Sequence, residues 1–123
     1  MWEEVLDCRY DRRKSFYGKA HVQHYEDGSI ALRSYDTIVA VIHNGEAIRT
    51  WGGYSDTTRR HVNEFFEQYG YERYEGKKAW DSMPSYYEKS WEDMTPDERN
   101  EAIAEAITTH QSEEEQAFWA KVA

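Results

Sequence analysis

Six residues, Thr37 to Ile42, leave little choice of fold. They read Thr-Ile-Val-Ala-Val-Ile, a run nearly all apolar and mostly β-branched, which suits a central strand covered on both faces. Turn signals flank it. Glu26-Asp27-Gly28-Ser29 lies upstream and His43-Asn44-Gly45-Glu46 follows; Asp-Gly and Asn-Gly supply the positive φ angles of tight hairpins. Between the turns, Ile30, Leu32 and Ser34 alternate with Ala31, Arg33 and Tyr35, a half-buried strand pattern. Phe16 to Tyr25 and Ala47 to Trp51 supply the outer strands. Residues 16 to 51 thus predict an antiparallel meander of three or four strands.

Gly52-Gly53-Tyr54-Ser55-Asp56-Thr57 joins flexible glycines to side-chain oxygens that can cap free backbone N–H groups. Val62, Phe65, Phe66 and Tyr69 then follow helical spacing, and Gly70 stands where a helix stops. A helix over about 56 to 69 is expected to pack across the sheet. Residues 71 to 94 have no clean period but carry Tyr71, Tyr74, Trp80, Met83, Tyr86, Tyr87 and Trp91. A disordered linker would be poor in aromatics, so an ordered connector is expected. Thr95-Pro96-Asp97-Glu98 is a helix start with capping-box spacing, and Ser112-Glu113-Glu114-Glu115 repeats that spacing. One long helix or two short ones could follow. The fold class is α+β: a small antiparallel sheet packed by one helix, then an aromatic-rich connector and a C-terminal helix or helices. Residues 1 to 123 are read as one domain, with a core at 15–70 and an acidic, mainly helical extension at 71–123.

Charge divides the 123-residue chain. Residues 1 to 60 hold nine basic and nine acidic side chains; residues 61 to 123 hold six and fifteen, so the net charge of -9 lies wholly in the second half. Such a face repels phosphate backbones and is drawn to basic clefts. No apolar run approaches the ~20 residues that span a bilayer. The N-terminal residues lack the pattern of a secretory signal, and one cysteine, Cys8, forms no internal disulfide. These features read as a cytoplasmic protein that does not engage a membrane.

Chemistry-bearing constellations are sparse. No thiol-enzyme signature surrounds Cys8, His21 and His24 would project to opposite faces of a strand, and the cysteine pairs of a structural zinc site are missing. No catalytic residue, metal or cofactor is expected. Arg59, Arg60 and His61 at the helix start could hold a nucleotide or nucleic acid, as could Arg12, Arg13 and Lys14 beside Tyr10, Phe16 and Tyr17. Ten tyrosines exceed what a small core can enclose, so some should serve an interface.

Ser34-Tyr35-x-Thr37-x-Val39-Ala40, followed by Tyr54-Ser55-x-Thr57-Thr58-x-x-His61-Val62, resembles a group of small uncharacterised phage and prophage proteins. The likeness covers residues 15 to 70 and carries no activity to transfer. A phage setting implies a non-enzymatic binding protein, with an anti-defence inhibitor of the anti-CRISPR type as its sharpest form, in the cytoplasm of an infected or lysogenic bacterial host. The expected partner is a host protein with a basic cleft, such as a CRISPR nuclease complex. The expected contacts are Trp80, Trp91, Glu92, Asp93, Asp97, Glu98, Glu101 and Glu105. The alternative is a phage module that binds nucleic acid or sequesters a signalling nucleotide through Arg59, Arg60 and His61.

Overall fold

The computed structural model describes residues 1–122. Five strands run β1 (Trp2–Val5), β2 (Ala20–His24), β3 (Ile30–Ser34), β4 (Thr37–His43) and β5 (Glu46–Arg49), each pairing antiparallel with the next. The meander therefore has one strand more than the three or four expected. β1 escaped notice because all four of its residues are exposed and no apolar alternation marks it. Its register, from Trp2 against His24 to Val5 against His21, is set across a long connection. The Asn-Gly turn behaves as its sequence demands, with φ of 53° at Asn44 and 75° at Gly45.

α1 (Asp56–Gln68) begins at Ser55, whose Oγ accepts from the Thr58 N–H, and lays Val62, Phe65 and Phe66 on one face of the sheet. There they meet Val22, Leu32, Ala40 and Ile42 together with Leu6, Phe16 and Met83. Between Leu32–Ala40 and Arg33–Ile38 the register shifts, leaving Val39 as an extra residue. This bulge lets Val39 and Ala40 both enter that core.

The opposite face has its own core. α3 (Pro96–Val122) covers Ala31, Val41 and Ile48 with Ala102, Ile103 and Ala106, joined by Trp91 and Met94. The C-terminal segment is thus a single helix, with Ser112 in its interior, and its first half packs on the sheet. Arg99 bolts it down. Its Nε and Nη2 donate to the Trp91 carbonyl at 3.1 and 2.9 Å, and Nη1 donates to Asp27 Oδ2 at 3.0 Å. Burial alone would raise the Asp27 carboxyl, but the hydroxyl and amide of Ser29 and the Arg99 guanidinium outweigh it and leave it below its usual value.

The aromatic connector is ordered, with α2 (Gly76–Asp81) and a 3₁₀ turn, Trp91–Asp93. Ser85 bridges Arg49 in parallel, so the connector covers the β5 edge of the sheet. Gly53 sits beneath the Trp51 ring, where an added Cβ would come within 2.3 Å of ring carbon. The capping box at the head of α3 is closed: Glu98 N–H donates to Thr95 Oγ1 at 3.2 Å and Thr95 N–H to Glu98 Oε1 at 3.0 Å. The Lys89 ammonium and these Thr95 bonds hold the Glu98 carboxyl down to about 2. Thr95→Ala should lower stability by about 1 kcal/mol in urea unfolding; an unchanged midpoint would show that packing alone fixes this helix end.

Candidate functional site

Three groups of polar residues need placing on this frame. The acidic candidates lie on the outer side of the second layer. Glu92 and Asp93 are exposed on the 3₁₀ turn, and Asp97, Glu101 and Glu105 are exposed on α3. Their spacing of four places them on one stripe, away from the buried Arg99, Ala102, Ile103 and Ala106. Glu98 differs, since Thr95 and Lys89 already engage it.

Trp80 and Trp91, expected as contact anchors, are core. Trp80 is 0% exposed and donates its Nε1–H to the Gly53 carbonyl at 3.0 Å; Trp91 is 1% exposed and donates to Ser29 Oγ at 3.1 Å. Their indole donors find partners inside, so neither ring is free to meet another molecule. The available aromatics are elsewhere. All residues from 111 to 122 are exposed, and among them Phe118 and Trp119 stand 58% and 59% accessible in edge-to-face contact. Only the three glutamine-flanked acids before it, Glu113 to Glu115, set Trp119 apart in the sequence as part of an outward-facing helix end.

Arg59 and Arg60 line a cavity of about 230 Å³ with Tyr10, Asp11, Arg12, Arg73 and Glu75. The two basic clusters separated in sequence therefore meet. Glu64 brings them together: this buried carboxylate accepts the N–H groups of Arg9, Tyr10 and Asp11 on Oε1 at 2.9, 2.8 and 2.8 Å, and the Gln68 amide on Oε2 at 2.8 Å. Three successive backbone donors converging on one oxygen form an anion nest filled from within the chain.

His61 does not join them. It is buried on the sheet side of α1, with Nδ1 2.8 Å from Ser34 Oγ, which in turn lies 3.1 Å from Thr58 Oγ1. Phe16 packs edge-on against its ring and Tyr35 is tilted beside it. Burial pulls this imidazole down to about 4, so it is neutral at physiological pH. The Ser, Thr and His of the Ser-Tyr and Thr-Thr-x-x-His patterns thus form one internal hydrogen-bonded cluster joining β3 to α1. Cys8 is half-buried; burial, reinforced by Asp11, Glu64 and Asp7, pushes its thiol above the ordinary value.

A family of unknown function, DUF8033, matches residues 5–82, more than half of the chain. The chain belongs to DUF8033. The match takes in β2 to β5, α1 and α2, and with them the residues of this chain's histidine cluster and arginine-lined cavity. It ends before the 3₁₀ turn and α3, so the acidic stripe lies outside the DUF8033 span. No curated protein and no solved structure matches the chain. Among the described residues no helix is long and apolar enough to cross a membrane.

Proposed function

We propose that this DUF8033 protein is a non-enzymatic binding protein that docks α3 on a basic surface of a partner macromolecule. The observation that carries the reading is the continuity of charge and apolar exposure along one helix. The stripe Asp97, Glu101 and Glu105 leads to Phe118 and Trp119, which stand in water on the same element. Carboxylates steer the encounter with a cationic partner, and large aromatics supply the short-range energy once water is expelled. In a phage setting, as the Ser-Tyr and Thr-Thr-x-x-His motifs suggest, the partner is a host nucleic-acid-handling protein. Occupation of its cleft is then an anti-defence act of the anti-CRISPR kind.

The test is a pull-down from nuclease-treated bacterial lysate at low and high salt, with two variants beside the native chain. One reverses charge at Asp97, Glu101 and Glu105 to lysine; the other replaces Phe118 and Trp119 with serine. The expected result is a nucleic-acid-handling protein that is retained at low salt, reduced roughly tenfold at high salt, and lost by both variants. Retention indifferent to the charge reversal would sink the reading.

A further inference from the structure

We propose that the arginine-lined cavity between the β1–β2 connection and the start of α1 binds the phosphate of a small phosphorylated ligand of the nucleotide class. Four guanidinium groups, Arg12, Arg59, Arg60 and Arg73, face two carboxylates, Asp11 and Glu75, across about 230 Å³. This is a local cationic excess in a chain of net charge -9. The internal partners do not exhaust it. Arg73 is well paired, with Glu75 at 2.8 Å and Glu67 at 3.2 Å. Arg59 reaches Glu75 only at 3.5 Å and Arg60 reaches Asp11 only at 3.8 Å, both longer than a charge-assisted hydrogen bond. Arg12 has no ion pair among the described residues.

A sharper sign is Arg59 Nε, which is buried and has no hydrogen-bond partner. A buried donor without an acceptor is costly, and an entering anion would supply the acceptor. Planar guanidinium forks match phosphate oxygens two at a time. The ligand size follows from the volume, which accommodates a phosphate and part of a sugar but no duplex. Tyr10 lines the same cavity and is 59% exposed, so its ring is available to stack on a base. Both walls are set in advance, one by α1 and the other by the Glu64 nest, which spares the ligand the cost of ordering the loop.

Binding of ADP, inorganic phosphate and a six-residue oligothymidylate to the full chain, followed by titration calorimetry, tests this assignment. ADP should bind, phosphate should compete with it, and the Arg59→Gln, Arg60→Gln double variant should weaken ADP at least tenfold while melting like the native chain. Tyr10→Ala should weaken ADP but leave phosphate unchanged, and Lys89→Ala, remote from the cavity, should alter neither. Failure of both ADP and phosphate to bind would overturn the proposal, as would ADP binding that the double variant retains. Binding of the oligonucleotide but not of ADP, lost in the double variant, would overturn it in favour of a strand-binding groove.

Discussion

Glu64→Ala should lower the unfolding free energy by about 3 kcal/mol, among the largest losses for any single polar side chain in this fold. Glu64 lies inside α1, yet what it supports is the segment before β2: three backbone N–H groups lose their acceptor at once, and the Gln68 amide keeps only the Asp7 carbonyl. Water can reach part of that segment, which keeps the loss well below that of three fully buried orphan donors. Glu64→Gln keeps the acceptor oxygen but not the charge, and should cost about half as much. Urea unfolding measures both variants, and amide exchange at residues 9 to 11 locates the effect. Full protection of those amides in the alanine variant would show that the loop is held by something else. The same variant should release Tyr10 and Arg12 from the cavity wall, linking a buried carboxylate to the cationic surface beside it.

Stability should also fall as pH drops from 6.5 to 4, and His61 should account for the steepest part of that fall. An imidazole that takes its proton near pH 6.5 in the unfolded chain takes it only near pH 4 when folded. The unfolded state therefore binds more protons across this window. The stabilisation is complete above 6.5 and is lost as pH falls through 4, a change of about 3 kcal/mol for this one group. The groups around the ring are Ser34, Thr58, Phe16 and Tyr35, with Asp11 opposing the downward pull and Arg13 adding to it. His61→Gln retains a partner for Ser34 but has no proton to gain. Its stability should be lower at pH 7 and nearly flat between 6.5 and 4 once the slope common to both proteins is subtracted. Parallel curves for the two proteins would place the acid sensitivity in the carboxylates instead.

The elements most legible in the sequence are those governed by neighbours in the chain. Asp27-Gly28 and Asn44-Gly45 mark their hairpins, Thr37 to Ile42 marks the central strand, and Val62, Phe65 and Phe66 mark the buried face of α1. Thr95 and Glu98 give the start of α3 because both halves of a capping box lie within one turn. Features set by distant residues were silent. β1 is exposed along its whole length and acquires its identity only from the partner strand. The connector's aromatics indicate order but not direction, so Trp80 and Trp91 could not be told from surface rings such as Trp119. The cavity depends on bonds between Glu64 and residues more than fifty positions earlier. Arg12 and Arg59 belong to separate basic clusters until that link is known.

The sheet's two separate cores bear on every other chain built on the DUF8033 span. Residues 5–82 include α1 and α2, which seal one face, but Ala31, Val41 and Ile48 on the other face are sealed by α3 and its leading turn. Residues 5–82 alone would therefore present a bare strip of apolar side chains to water, an invitation to stick to another sheet. A chain with this span but without α3 would need another roof: a trailing helix of different sequence, a second copy, or a fused domain. Variation among chains that share the span should then concentrate in that roof, where a surface can be exchanged wholesale without disturbing the meander beneath.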